Sequence, residues 1–384
     1  MSAVLPIPAR RAGLVLLGMV LVVGSFATAG PRAALLMLVG LGLGLVLEGL
    51  RFGFAGPWRV MVTERDGRGL LAQFLAIGLT ALVAFPLLAT FPEELTGAHA
   101  PVGVAMIAFA FVFGAMMQIV MGCGSGTLVN AGSGNLLALV ALFGFIAGSF
   151  FGTLHLPWWT GLGSLPVYTL QGLIGNGAGL GVTLFGLAGL SALVYSRSAP
   201  EKRRIPRRLG LAAVLIAALA LLNLVIAGQS WGVVYGLGLW GAKFAQAAGM
   251  DVAASTFWSS SGHAVRLQQS VLTDVTSLTN IGLLAGAFLA MRWKPSPDPQ
   301  VAALSATSWG LVLLAGVIMG YSARVALGCN VGAFFSGVST GSLHGWVWFV
   351  AAFAGSYAGL QLRPRLLRAA AAASNGMATG GQGS

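Results

Sequence analysis

Repeated apolar runs, each long enough to cross a lipid bilayer, are the feature that most constrains what this chain can fold into. The runs 70–90, 102–120 and 136–153 contain no charged side chain. A helix of about 20 apolar residues spans the hydrocarbon core, where every backbone polar group needs a partner inside the protein. The sequence therefore predicts an all-α polytopic membrane protein with about ten transmembrane helices. It excludes a soluble domain.

The basic residues follow the loops between these runs. Lys and Arg number 21 against nine Asp and Glu, so the net charge is +12. Such an excess is also typical of nucleic-acid-binding proteins, but here most basic residues cluster at the ends of apolar runs, as the positive-inside rule expects. We expect a multi-pass protein of the bacterial inner (cytoplasmic) membrane that contacts the lipid bilayer and no nucleic acid. Its C-terminus is predicted to be cytoplasmic.

Two Gly-rich segments interrupt the apolar pattern, and they contain both cysteines of the chain. One is Gly-Cys-Gly-Ser-Gly-Thr at 122–127, and the other is Gly-Cys-Asn-Val-Gly at 328–332. Cys123 and Cys329 lie 206 positions apart, and the same offset pairs Gln118 with Arg324. Each segment follows a long apolar helix and precedes another. The pattern predicts an internal repeat with a Gly-Cys break at equivalent positions.

The placement of charge predicts how the two repeats are oriented. Counted from Arg10 and Arg11, six crossings return the chain to the cytoplasm at 197–208, the densest basic segment. If 209–246 then makes only one full crossing, Arg292 and the C-terminal arginines are also cytoplasmic. A second crossing in that stretch would leave the C-terminal arginines outside. The favoured count makes the two halves inverted, an architecture that recurs in transporters.

The predicted organisation has five parts. They are an extra N-terminal transmembrane helix at 1–30, a first repeat at 31–178, a connecting helix and cytoplasmic basic loop at 179–208, a second, inverted repeat at 209–368, and a disordered tail at 369–384. For 1–30 a cleaved signal peptide is the alternative, because two arginines precede its apolar run and Ala27-Thr28-Ala29 follows it.

The Gly-Cys segments suit the passage of an anion. Irregular backbone at membrane depth is tolerated only where protein buries it or where it lines a wet cavity. Glycine permits close approach, N–H groups at the start of a short helix attract negative charge, and a neutral thiol offers a weak hydrogen bond that is easily released. The alternative is structural, with glycines that allow close packing and cysteines that act as small apolar residues. Two equivalent copies favour transport.

The candidate transport residues are Cys123, Cys329, Gly122, Gly124, Gly328, Asn330, Gly332 and Arg324. Arg324 suits an anion on the outer side, or it snorkels to the membrane interface. Asp274 is interpreted as a helix cap rather than an ion-coupling group. His263 and His344 lack close ligand spacing to the cysteines, so we predict no metal site and no cofactor.

The residues around the cysteines resemble the YeeE/YedE family of membrane proteins, whose characterised branch takes up thiosulfate. The best-matching motifs are 122–128, 328–337 and 341–346. The resemblance implies an hourglass-shaped inverted repeat with short re-entrant helices dipping to a central constriction, where cysteines pass thiosulfate by transient contacts between S–H and sulfur. It also implies a small soluble sulfur-carrier protein as a cytoplasmic partner.

One position departs from the family pattern. The first dip commonly carries a cysteine between two aromatic residues, whereas this chain has Phe52-Gly53-Phe54. Either that thiol is dispensable, or the substrate is a related compound such as sulfite or a sulfur-oxidation intermediate.

Three classes of function are therefore compared. The favoured one is a transporter, not an enzyme, that imports a sulfur-containing inorganic anion, with thiosulfate as the expected substrate. The second is a membrane thiol redox protein whose cysteines cycle through a disulfide. The third is a structural or sensing subunit without a pore.

Overall fold

A computed structural model describes residues 7–293 and 306–380 of the 384-residue chain. The described part is helical apart from loops and isolated bridges. Its helices are α1 (Ile7–Gly49), α2 (Gly56–Glu64), α3 (Arg68–Thr90), α4 (Val104–Val120), α5 (Gly124–Gly132), α6 (Leu136–Gly161), α7 (Leu170–Ile174), α8 (Asn176–Arg197), α9 (Arg207–Ala227), α10 (Val234–Ala247), α11 (Ser261–Gln268), α12 (Val275–Trp293), α13 (Ala306–Val325), α14 (Gly337–Ser339) and α15 (Leu343–Gly380). A π-helical turn, Asn330–Ser336, precedes α14.

The long helices confirm the predicted fold class. Eight described helices are long and apolar enough to cross a membrane. The first of them breaks at Gly30 (φ 81°, ψ −174°), directly before Pro31, because proline disfavours helical backbone at the residue before it. α1 is therefore long enough for two crossings. With the apolar start of α15, the expected number of about ten crossings is reached.

The helix ends define two faces of the protein. Arg65 donates to the Arg197 carbonyl oxygen at 2.9 Å, and Arg11 lies 5.3 Å from the ring of Trp293. We call this arginine-rich side the basic face. The opposite face carries the loops 91–103, 162–175 and 248–274, and there Thr96 N–H donates to Gly228 O at 2.9 Å. By the positive-inside rule the basic face is predicted to be cytoplasmic.

The first helices of the two predicted repeats run antiparallel. Arg32, at the start of the second half of α1, donates to the carbonyl oxygens of Ile226 and Ala227 at the end of α9, both at 2.8 Å. At the other end, Arg51 and Arg208 line one cavity on the basic face. This direction supports the inverted repeat, which stays a prediction.

Glycines bring helices of the two halves into close contact with each other at two equivalent places. α6 packs along α13, and α15 packs along α4. A Cβ at Gly148 would collide with the Val317 carbonyl oxygen, and a Cβ at Gly355 would collide with the Phe111 carbonyl oxygen. These contacts correspond under the offset of 206 to 207 positions that relates the cysteine segments. Small residues at such positions allow the backbones of membrane helices to touch.

The helix boundaries agree with the expectation at one place and differ from it at another. α9 is long enough to span, whereas α10 is a 14-residue helix, which agrees with one full crossing for 209–246. The backbone of 369–380 continues α15, although the sequence predicted a disordered tail. The run of alanines at 369–373 explains the helix, because alanine has the highest helix propensity. Residues 1–6 of the predicted N-terminal helix, 294–305 of the predicted second repeat and 381–384 of the tail lie outside the described residues.

We expect Gly148→Ala and Gly355→Ala to lower the unfolding temperature of the protein by similar amounts. In each variant the methyl group must push two helices apart, and overpacking of this kind costs about 1–3 kcal/mol or more. The measurement is the thermal unfolding temperature in detergent, with Gly189→Ala as the control. Gly189 lies within α8, and a Cβ at this position would have no atom within 4 Å. The control should therefore unfold no lower than wild type, because alanine there only adds helix propensity. Unchanged unfolding of both test variants would contradict the close packing.

Candidate functional site

Four interrupted helices bring irregular backbone into the centre of the molecule. The chain is non-helical at about 50–55, 121–123, 228–233 and 326–329, and a short helical segment follows each break. Phe54, Cys123, Trp231 and Cys329, one from each break, belong to the same buried core cluster. The four breaks therefore meet around one central region.

Side chains from neighbouring helices bond the backbone of the breaks. Gln73 donates to Gly53 O at 2.8 Å, and Asn280 donates to Val233 O at 2.9 Å. Ser336 donates to Trp231 O at 2.6 Å. Gln73 and Asn280 are 207 positions apart, so the two halves use equivalent positions for the same task. This bonding allows non-helical chain at membrane depth.

The two cysteine segments have matching backbones. Met121 and Leu327, two residues before the cysteines, both adopt the left-handed region, with φ of 65° and 61°. Cys123 and Cys329 themselves are extended, each with ψ of −170°, and both side chains are fully buried free thiols. Left-handed backbone is uncommon for side chains such as these, so its occurrence at two equivalent positions supports the predicted repeat.

The glycines of the segments have different roles. A Cβ at Gly124 would lie 3.1 Å from the Cys329 sulfur, so this glycine lets the second thiol approach α5. Gly328 has φ of +152°, and a Cβ there would lie 2.7 Å from Ala333 N. A Cβ at Gly122 would lie 3.2 Å from Thr127 N. Gly332 borders open space, with no atom within 4 Å of a Cβ built on it. Packing therefore requires glycine at Gly328, leaves a Cβ little room at Gly122 and Gly124, and leaves space for one at Gly332.

The Cys123 thiol is held by the start of its own short helix. Its sulfur accepts a hydrogen bond from Gly126 N–H at 3.5 Å and lies 3.4 Å from the Ser125 hydroxyl oxygen. Asn330, next to Cys329, donates to Phe54 O at 3.4 Å. That contact joins the second cysteine segment to the first break.

An aromatic cluster closes the centre. The rings of Phe54, Trp231 and Phe335 contact one another edge to face, with centroids 5.8 to 6.1 Å apart. All three side chains are buried. An ion that passes between the faces must displace these rings or pass beside them.

A cavity of about 340 Å³ opens beside the first cysteine segment on the basic face. Its lining includes Arg51 and Arg59, with Glu48, and it reaches Gly122 and Gly126. Neither cysteine lines it, so the thiols lie behind the glycines that flank Cys123. The arginines can attract an anion to this cavity.

Several buried donors lack a hydrogen-bond partner among the described residues. They include the Thr127 hydroxyl, four residues after Cys123, and the Trp231 indole N–H in the third break. Buried polar groups are normally paired, so donors of this kind are available to an anion that enters the constriction.

On the opposite face, two loops hold the chain just before α15. Ala98 N–H donates to the Thr340 hydroxyl at 3.0 Å, and the His99 ring and the Gln171 amide contact the Thr340 carbonyl oxygen at 3.0 and 2.9 Å. Burial lowers the pKa of His99, so the neutral ring donates from Nε2. The second cysteine segment is therefore anchored at both ends.

Arg324 lies in the last turn of α13, and its surroundings were not expected from the sequence. Its guanidinium lies 5.4 Å from the Tyr235 ring and 4.9 Å from the Phe257 ring. Phe257 belongs to 248–274, which replaces the three-residue connection 65–67 of the first half. This long insertion, which carries Phe257, Trp258, His263 and Arg266, is the signal that could have pointed to the cluster.

The remaining polar candidates have structural partners. Asp274 accepts from Ser277 N–H at 2.7 Å, as expected for a helix cap. His344 bonds the Ser342 hydroxyl at 2.7 Å, and His263 bonds Tyr235 at 3.0 Å. Within the described ranges, no three His, Cys, Asp or Glu side chains are grouped to hold a metal ion.

Comparison with known proteins identifies a matching family and several relatives. Residues 50–358 match the family described as sulphur transport. The thiosulfate transporter TsuA of Escherichia coli K12 is 26% identical over 377 residues, covering 87% of this chain and 96% of that protein. The probable transporters YedE of Escherichia coli K12 and Salmonella typhimurium LT2 are 29% and 28% identical over 139 residues. This match covers 35% of the chain and spans only 32% of the length of either YedE protein.

We expect Gly53→Cys to react with a charged, water-soluble thiol reagent, while Cys123 and Cys329 remain unreactive in the folded protein. Gly53 lines the cavity on the basic face, and the nearest atom to its Cβ position is 3.9 Å away, so the new side chain fits. Labelling is measured by intact mass. Gly189→Cys, on the lipid-facing side of α8, is the control and should not react until detergent denaturation. Rapid labelling of wild type would show that the native thiols are not sealed.

Proposed function

The chain belongs to the sulphur transport family, and from this premise we propose that it is a transporter that imports a sulfur-containing inorganic anion across the inner membrane. Thiosulfate is the proposed substrate. The observation that carries the proposal is the matched pair of Gly-Cys breaks, with both thiols buried at the meeting point of four interrupted helices. TsuA, the relative that aligns over most of this chain, is a thiosulfate transporter.

The thiols are suited to brief contacts with a sulfur anion. A buried thiol surrounded by protein and lipid is held neutral by the cost of an uncompensated charge, so it can donate through S–H. The Thr127 hydroxyl and the Trp231 indole N–H supply further donors. None of these neutral groups binds an anion as strongly as a charged group does, so a captured ion can also leave.

In this proposal the two halves are an inverted repeat, and each half contributes one Gly-Cys break to the pathway. The antiparallel α1 and α9, the matched glycine contacts and the equivalent backbones before the two cysteines support it. The boundaries 31–178 and 209–368 remain predicted limits of the repeats. Residues 1–30 remain predicted to be an extra crossing or a signal peptide.

Glycine at position 53 leaves two thiol stations. The cavity beside Gly53 is bordered by arginines, so we propose that charge attraction replaces a third thiol at this point. The related alternative is that the chain carries sulfite or a sulfur-oxidation intermediate. A soluble sulfur-carrier protein would meet the released anion on the basic face, which we propose is cytoplasmic, together with the C-terminus.

Replacing either cysteine by alanine should strongly reduce thiosulfate uptake. We expect Cys123→Ala and Cys329→Ala to reduce thiosulfate uptake at least about tenfold at equal protein level, because each removes a donor that the other residues cannot replace. Uptake of labelled thiosulfate into cells without other thiosulfate importers is the measurement. Cys→Ser at each position is the matched control, since a hydroxyl keeps a donor and should preserve more uptake than alanine. Undiminished uptake in both alanine variants would falsify the thiol mechanism.

Purified protein in proteoliposomes should take up thiosulfate in preference to sulfite and sulfate. Uptake should not depend on an added reductant or oxidant, since the proposed contacts are non-covalent. Direct uptake of the three labelled anions tests this. Sulfite preference would support the alternative substrate, and reversible loss of activity on oxidation, restored by a thiol reductant, would support the redox interpretation instead.

A further inference from the structure

Arg324 carries a buried fork of unpaired donors. Its Nε and Nη2 atoms are both buried, and neither has a hydrogen-bond partner among the described residues. Arg324 also forms no ion pair in the described part of the chain. The carboxylate of Asp274 lies 4.0 Å from Arg266 and caps α12. A buried guanidinium without a counter-ion is costly, so this arrangement indicates a group that is present only during function.

The unpaired atoms form the edge of the guanidinium that suits an oxyanion. The Nε and Nη2 donors point in parallel, and this edge grips two oxygens of a carboxylate, phosphate or sulfur oxyanion at once. An ammonium group offers no such fork. The geometry therefore fits an anion with at least two oxygens on one centre.

Aromatic side chains surround this fork. The Tyr235 and Phe257 rings lie against the guanidinium, and His263 stacks on Phe257 with ring centroids 4.2 Å apart. The Tyr235 hydroxyl is engaged with His263 at 3.0 Å. Trp258 anchors the insertion through a 2.8 Å hydrogen bond to Thr153. The ring faces provide polarisable contact and no hydrogen bonds.

The rings beside Arg324 disfavour an anion that is strongly hydrated on all sides. Sulfate exposes oxygen in all directions and must be stripped of hydration against the rings. An oxyanion with one terminal sulfur can direct its oxygens to Arg324 and its larger, less strongly hydrated sulfur to the rings, which costs less than burying a further oxygen there without a hydrogen bond.

The equivalent position in the first half has none of this chemistry. Gln118 corresponds to Arg324, and its side-chain amide donates to Ser356 Oγ at 2.7 Å. Ser149 is the counterpart of Ser356, and it lies near Gly238 and bonds Val234 O instead. The frame is thus shared, but one half holds a satisfied neutral amide and the other an unsatisfied cation.

We propose that Arg324, Tyr235 and Phe257 form an anion-selection site in the second half, which binds oxyanions that carry a terminal sulfur in preference to sulfate. The site rests on the proposed transport function and adds its selectivity. The site also makes the pathway asymmetric. Of the two equivalent positions, only Arg324 is positively charged, so an anion that moves toward Gln118 leaves a cation for a neutral amide. Opening requires the Phe257–His263 stack to shift, since the fork is covered by protein.

The test is competition in proteoliposomes, with labelled thiosulfate as substrate and unlabelled sulfate as competitor. We expect Arg324→Gln to raise the KM for thiosulfate about tenfold or more, because two charged hydrogen bonds are lost. Arg324→Lys keeps the charge without the fork and should give an intermediate KM. Phe257→Ala should leave the thiosulfate KM less changed but make sulfate a severalfold better competitor.

Arg266→Gln is the matched control, because it also removes one positive charge from the face opposite the basic face. Arg266 lies 5.1 Å from the Tyr235 ring, and its side chain is 38% exposed, so its removal should change KM far less. Wild-type KM and sulfate competition in both Arg324 variants would overturn the proposal, as would equal effects of Arg266→Gln and Arg324→Gln. If Arg324→Gln does not elute as a monodisperse protein, Arg324→Lys and Phe257→Ala decide the result. Absence of thiosulfate uptake by wild type would instead reject the transport function itself.

Discussion

Irregular backbone inside the bilayer is the constraint on which the rest of this structure depends. The hydrocarbon core supplies no water, so each carbonyl freed by a broken helix must be bonded by protein. Gln73, Asn280 and Ser336 provide these bonds from α3, α12 and the π-helical turn. Gly282 and Gly286 hold α12 close to α1, because a Cβ at either position would collide with the backbone of α1. The bonds at the breaks thus depend on helix packing outside the central region.

The two halves share a frame but differ in chemistry. Equivalent glycines, left-handed residues and extended cysteines recur in both, which keeps the two thiols in comparable surroundings. The differences lie in side chains placed on that frame. Gln118 is paired with Ser356, whereas Arg324 lies among aromatic rings and lacks a hydrogen-bond partner for two of its buried nitrogens within the described residues. A symmetrical backbone can therefore support unequal handling of an anion on its two sides.

Closure of the centre has a local cause. The Phe54, Trp231 and Phe335 rings fill the space between the cavity on the basic face and the second half, while the helices around them are closely packed. Rotation of a few side chains breaks fewer packing contacts than rearrangement of packed helices does. A pathway gated by such rings would pass ions without the rocking of whole repeats. This view agrees with weak thiol donors, because a strongly bound ion would need a larger conformational change to release it.

The sequence by itself determined the all-α membrane fold, the Gly-Cys breaks and the family, because apolar length, glycine position and motif spacing are local properties of the chain. It also indicated the helix cap at Asp274. Only the tertiary structure decided that both thiols are sealed behind glycines, that Gln73 and Asn280 bond the broken backbone, and that Tyr235 and Phe257 surround Arg324. These contacts join residues far apart in the chain, and which side chains meet depends on how helices pack. A local sequence pattern does not predict which helices pack together.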